Sequence, residues 1–219
     1  MRKAAAAAII IAFMFISVAF AAAQPSVGVK PGDWVEYHVK TTGAVPAAQD
    51  LTWAKIEILD VEGAAFHANF TVKYVNGTVS SATRFFNFSA GNVQAWIIIP
   101  GNLSPGQTFY DSSISSNVPI QGQIQKTVAG AERTVTWTNS TLGGVQRNKE
   151  WDKATGFYIQ SADNLGTYTV NAQAYATNIW SPQILGLNQN VFYLVITAIA
   201  VVVTVIAALA VIARKKKRN

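Results

Sequence analysis

Phe66-His67-Ala68-Asn69-Phe70-Thr71-Val72-Lys73-Tyr74, followed by Val75-Asn76-Gly77-Thr78, is the stretch whose pattern decides the fold. Phe66, Ala68, Phe70, Val72 and Tyr74 fall on one face, and His67, Asn69, Thr71 and Lys73 on the other. A period of two held this long marks a half-buried strand in an antiparallel sheet. Asn76-Gly77 is a strong hairpin signal, because both central positions of a type I′ turn need positive φ. The return strand is expected from Val79 to Phe88.

Outward from this hairpin the chain reads as strand almost throughout. Further strands are expected over Trp34–Thr41, Thr52–Val61, Val93–Ile99, Thr108–Ser112, Ile120–Val128, Arg133–Thr138 and Tyr168–Thr177. Trp151 leads through Asp152-Lys153-Ala154-Thr155-Gly156 into Phe157-Tyr158-Ile159, a second hairpin opened by Asp and closed by a left-handed Gly. Turn signals such as Pro31-Gly32, Glu62-Gly63, Pro100-Gly101, Ala129-Gly130 and Gly143-Gly144 separate the strands, and Ala44–Asp50 reads as a loop. Many short strands with no amphipathic helix between them predict an all-β ectodomain: an antiparallel half-barrel, barrel or sandwich. On the last strand Val170, Ala172, Ala174 and Ala176 make a small-residue stripe, which permits close approach of a second layer or of a ligand; ordinary packing is the favoured reading. Gln121, Gln123 and Gln125 make an amide stripe, read as a solvated face.

The ends of the chain set its place. From Val191 to Ala213 run 23 residues without a charge, followed at once by Arg214, Lys215, Lys216, Lys217 and Arg218. As a helix that run reaches about 35 Å, enough to cross a hydrocarbon core of about 30 Å. The basic end is expected to stay on the cytoplasmic side and to contact anionic lipid there. Arg2 and Lys3, the apolar run from Ala4 to Phe20 and Ala21-Ala22-Ala23 before Gln24 have the layout of a secretory signal peptide. The expected organisation is therefore a signal peptide (1–23), a β domain outside the membrane (24–178), a stalk (179–190), a transmembrane helix (191–213) and a basic cytoplasmic tail (214–219). Trp180, Phe192 and Tyr193 are expected to form an interfacial aromatic belt.

The formal charge of +6 misleads about the domain. Seven of the 17 basic residues lie in the two flanks, which leaves 10 against 11 acids between Gln24 and Asn190. That balance carries no footprint for nucleic acid. The chain has no cysteine, so burial must stabilise it without disulfides. All six tryptophans fall between Gln24 and Asn190, and most are expected in the core. Asn69, Asn76, Asn87, Asn102 and Asn139 each begin an N-x-Ser/Thr sequon and are the candidate N-glycosylation sites.

Reactive groups are sparse. His38 and His67 sit on the polar faces of their strands, and no ligand spacing joins them to a metal site. No G-x-S-x-G elbow, phosphate loop or dinucleotide fingerprint occurs. Asp33, Glu36, Glu57, Asp60, Asp152 and Asp163 are scattered and read as solvated strand edges and turn caps. No catalytic, cofactor-binding or metal-binding residue is assigned.

Val27-Gly28-Val29-Lys30-Pro31-Gly32-Asp33-Trp34-Val35-Glu36-Tyr37, Tyr74-Val75-Asn76-Gly77-Thr78 and Glu150-Trp151-Asp152-Lys153-Ala154-Thr155-Gly156 carry a resemblance. The chain resembles archaeal single-pass surface proteins with a β-rich ectodomain. They open on a G-V-K-x-G-D-W-like strand, carry a W-D-K-x-T-G hairpin and end in one membrane helix with a basic end. Pro31 departs from the commoner form, within a turn. That family has no established activity, so the resemblance assigns no catalytic or binding residue. A looser likeness is to half-barrel lipoprotein carriers, which hold acyl chains against a curved sheet. The function expected first is a non-enzymatic binding module for a lipid-like or protein ligand. The alternative is a structural cell-envelope glycoprotein with envelope-protein partners, and a hydrolase comes third.

Overall fold

A computed structural model of the chain describes residues 26–142, 145–184 and 187–216. The expected signal peptide (1–23), the Gly143-Gly144 turn, and Lys217 and Arg218 of the basic end lie outside the described residues.

Two antiparallel meanders build one sheet. The first runs β1 (Trp34–Gly43), β2 (Leu51–Glu62), β3 (Ala65–Tyr74) and β4 (Val79–Asn87). A small hairpin follows, β5 (Thr108–Asp111) with β6 (Ser116–Pro119). The second meander runs β7 (Gly122–Val128), β8 (Ala131–Leu142), β9 (Val145–Asp152), β10 (Tyr158–Asn164) and β11 (Tyr168–Thr177). β1 pairs antiparallel with β11, which joins the meanders into nine strands ordered β4-β3-β2-β1-β11-β10-β9-β8-β7. Neither edge strand, β4 or β7, has a second neighbour among the described residues, so the sheet stays open. Of the three expected architectures it is the half-barrel.

The alternation that marked β3 is what buries it. Phe66, Ala68 and Phe70 are buried, while His67, Asn69 and Thr71 on the other face are only part-covered. Tyr37 and Val35 on β1 and Ile56 and Ile58 on β2 join the same buried face. The expected hairpin forms at Asn76-Gly77, but not as a type I′ turn. Gly77 alone has positive φ, and Gly77 N–H donates to Tyr74 O at 2.9 Å while Tyr74 N–H donates to Thr78 O at 2.9 Å. That is a three-residue loop, in which only the last position needs the left-handed region. The loop expected at Ala44–Asp50 holds one short 3-10 turn, Ala47–Gln49.

The second correction is larger. Val93–Ile99 is not a strand; it belongs to a plug, residues 88–121, that crosses one face of the sheet from β4 to β7. Val93, Ala95, Ile97, Ile98 and Ile99 are all buried, and from Ile97 to Ile99 three consecutive side chains are covered, so the period of two does not hold along the segment. The plug is fastened to the W-D-K-A-T-G hairpin. Trp151 Nε1–H donates to Ala95 O at 2.7 Å, Tyr158 N–H to Ile97 O at 3.1 Å, and Ile99 N–H to Gly156 O at 3.0 Å. Gly156 has φ +74°, and a Cβ there would lie 1.9 Å from Ile99 O. Only glycine fits that contact. The acids around it are not solvated, as the sequence had suggested. Asp152 is fully buried and accepts from Arg133 Nε at 2.7 Å, Arg133 Nη2 at 3.1 Å, Thr155 N–H at 2.9 Å and Thr155 Oγ1 at 2.7 Å. Asp33 is buried too, accepting from Lys30 N–H at 2.9 Å.

The tryptophans also divide otherwise than expected. Trp151 and Trp180 are buried, but Trp34, Trp53 and Trp137 are part-exposed on the outer face and Trp96 is 40% exposed. Trp180 lies in the expected stalk, yet it packs into the domain with the Arg133 guanidinium 5.8 Å over its ring, and so takes no part in an aromatic belt. A two-residue hairpin, β12 (Gln183–Ile184) with β13 (Leu187–Asn188), leads into the helix α1 (Gln189–Lys216). Gln189 N–H donates to Pro182 O at 3.0 Å, tying the start of α1 to the end of the domain. The segment Gln189–Ile206 has a mean hydropathy of 2.2 with none of it buried, which makes α1 long and apolar enough to span a membrane.

Candidate functional site

The plug leaves part of the sheet's inner face uncovered. There a groove of about 190 Å³ is floored by β3, β2, β1, β11 and β10 and overhung by Trp96 of the plug. Five adjacent strands laid flat would span about 19 Å between their outer members, so their side chains share one small groove only because the sheet curves.

Register explains what lines it. Val72, Ala54 and Tyr37 are successive cross-strand partners, as are Phe70, Ile56 and Val35. These give the apolar side, closed by Trp96, whose ring centroid is 5.6 Å from that of Phe70. On β11 the small residues Val170 and Ala172 form the floor, so part of the small-residue stripe gives room for a groove instead of close packing. Tyr37 and Tyr158 bound it from below; Tyr37 Oη–H donates to Tyr158 O at 2.8 Å, and burial pushes both phenols above their ordinary pKa.

One side is polar. Thr138, Lys149, Ser161, Ala172 and Val39 are partners in one row across β8, β9, β10, β11 and β1, and Ser140, Arg147, Asp163, Val170 and Thr41 in the next. Ser161 and Asp163 line the groove. Lys149 is buried, with its Nζ 3.6 Å from Asp163 Oδ2, an ion pair too long to be a full hydrogen bond. Burial lowers the Lys149 pKa, against the opposing pull of Asp163, and raises that of Asp163, against Lys149 and Arg147. Three buried polar atoms here have no hydrogen-bond partner among the described residues: Asp163 Oδ1, Arg147 Nε and Thr138 Oγ1.

Two wider clefts differ in character. One, of about 470 Å³, lies among the plug's own loops, edged by Ser26, Gly91, Pro100, Asn102 and Gln107. The other, of about 510 Å³, is on the outer face among Trp137, Asn139, Asn148, Glu150 and Gln160.

The residues singled out in the sequence are dispersed. His38 stacks on Tyr175 on the outer face, with centroids 3.8 Å apart. His67 pairs with exposed Asp60 at 2.9 Å, and this hydrogen bond lowers the Asp60 pKa. Neither histidine lines the groove, and no group of three or more His, Asp or Glu among the described residues is placed to hold a metal ion. Glu36 accepts from Tyr175 Oη at 2.7 Å, and Glu57 from Lys55 at 2.9 Å. The sequon asparagines are all outside the core: Asn76, Asn102 and Asn139 are exposed, and Asn69 and Asn87 part-exposed. The glutamine stripe is solvated; Gln121 brackets Asn139 by two backbone hydrogen bonds.

No protein-family model matches the chain, and no curated protein matches it. Among solved structures, the amine-binding protein of Rhodnius prolixus, in its tryptamine complex, is similar at 13% identity and a TM-score of 0.28. The match covers 68% of this chain and 65% of that one, so the chain spans less than two thirds of its length. A likeness of that degree says nothing about ligand or strand order.

Proposed function

We propose that this chain is a membrane-anchored, extracytoplasmic binding module that holds a small apolar or lipid-like group in the groove and performs no reaction on it. The observation that carries this reading is the groove itself. Phe70, Val72, Val170, Ala172 and Trp96 present an apolar lining that the plug reaches but does not fill. Exposed apolar concavities of this kind, with a few polar groups at one end, are what small ligands use. A dry cavity of about 150 Å³ accepts a benzene-sized molecule, so about 190 Å³ suits one short tail or ring. Against a reaction stands the placement of both histidines on the outer face, away from Ser161 and Asp163. α1 supplies the anchor, and the basic residues from Arg214 at its C-terminal end favour an outside domain.

The test is native mass spectrometry of the full chain in nanodiscs after exposure to a membrane extract of its host. Ala172→Phe, which fills the groove, is run beside it. A reproducible small mass on the wild type that the variant lacks supports the module. A polypeptide that carries nothing in either form, or only covalent sugar at the five sequons, overturns it in favour of a structural envelope glycoprotein.

A further inference from the structure

The polar row beside the groove has no role in the apolar lining, and its composition is specific. Asp163 Oδ1 is an acceptor, Arg147 Nε–H a donor, and Thr138 Oγ1 either; each is buried and unpartnered among the described residues. Buried polar groups left this way are costly, and these three lie on adjacent strands of one face. Asp163 and Arg147 are direct cross-strand partners, and Asp163 stands at the groove wall next to Val170. The charges nearly cancel: Arg147 and Lys149 are opposed by Asp163 and by Asp111 of the plug, which acts on Lys149.

We infer that the groove selects a ligand whose apolar tail ends in a neutral group able both to donate and to accept a hydrogen bond, such as a hydroxyl or an amide, seated against Asp163 and Arg147. This inference rests on the groove reading above and deepens it. An ammonium head would satisfy Asp163 but meet Lys149 and Arg147. A carboxylate head would satisfy Arg147 but meet Asp163. A neutral hydroxyl donates to Asp163 Oδ1 and accepts from Arg147 Nε–H with no like charge to face. It fills both orphaned valences at once. Fatty alcohols, acylglycerols and fatty amides share that chemistry.

The experiment compares hexan-1-ol, hexylamine and hexanoate at pH 7 by ligand-observed NMR titration of the full chain in nanodiscs. Groove-filled Ala172→Phe and, as a second blank, Val170→Phe remove the contribution of partitioning into lipid. The alcohol is expected to bind at least about tenfold more tightly than either ion, the factor that one well-placed hydrogen bond to a charged group gives. Arg147→Met is expected to erase that preference. Asp163→Ala is expected to turn it towards hexanoate, because Arg147 and Lys149 beside the groove would then be opposed by Asp111 alone. A merely structural role for Asp163 would not produce that reversal. Equal binding of all three probes, or tighter binding of either ion to the wild type, overturns the inference and leaves the apolar groove standing. No binding above both blanks by any probe overturns the groove reading as well.

Discussion

Single residues in this protein act mostly by what they exclude. Gly156 is the clearest case. Its φ of +74° and the 1.9 Å approach of Ile99 O to a Cβ there leave no room for any side chain. Gly156→Ala is expected to cost about 3 kcal/mol, since strain in the left-handed region adds to a clash with backbone that cannot turn aside. Denaturant unfolding of the solubilised chain, followed by tryptophan fluorescence, measures it; a loss under about 1 kcal/mol would mean the plug yields there. Asp163 acts through its proton. Burial holds its pKa above the ordinary value of 3.8, so the folded chain binds this proton more tightly than the unfolded one. Its contribution to stability is therefore present at low pH and lost as pH rises from 3.8 through the raised value. In Asp163→Asn that decline should vanish. The variant's melting temperature relative to wild type should rise between about pH 4 and neutrality, and a flat difference would refute the assignment.

At the scale of elements, the plug and the W-D-K-A-T-G hairpin are one device. The hairpin shares four main-chain or indole hydrogen bonds with the plug, the fourth from Asn102 N–H to Lys153 O at 2.6 Å, and the Asp152 carboxylate with Arg133 and Thr155 fixes the hairpin's own shape. Trp151→Phe keeps most of the ring packing against Phe109, whose centroid is 5.5 Å away, but removes the donor to Ala95 O. A buried carbonyl left without its partner costs about 1–3 kcal/mol. Amide hydrogen exchange in that variant should quicken over residues 93–101 and leave β1 to β3 nearly unchanged. Uniform quickening would mean that plug and sheet open together. This device also marks how far the sequence was legible. Strands with one wet face, such as β1, β3 and β11, announce themselves by alternation, and the two hairpins by their glycines. The plug does not, because Ile97 to Ile99 are buried one after another and a short apolar run reads equally as strand or as buried irregular chain. The groove was half legible: the small-residue stripe on β11 was visible, while Arg147 and Lys149 lie on β9 and Asp163 on β10, and only register brings them into adjacent rows. Trp180 was misplaced because it packs with residues distant in sequence, such as Arg133, which lies 47 positions away.

For the whole molecule the question is which way it faces. The β domain is near neutral, so its own charge neither helps nor opposes translocation, and orientation falls to the flanks of the apolar span. After Ala213 come five consecutive basic residues, while the ten residues before Val191 carry no charge at all. Retaining that cluster beside an anionic cytoplasmic leaflet contributes about 1 kcal/mol per residue near the surface, and carrying it through hydrocarbon would cost more. The absence of cysteine makes the orientation directly measurable, because any thiol introduced is the sole one. Asn76→Cys stands in the exposed β3–β4 loop, and Asn219→Cys follows the basic cluster at the other end. A membrane-impermeant maleimide added to intact cells should label the first within minutes and reach the second only after the membrane is opened. The reverse pattern would place the groove in the cytoplasm and end the extracytoplasmic reading. Labelling of both in intact cells would mean that α1 does not cross the membrane but lies along its outer surface.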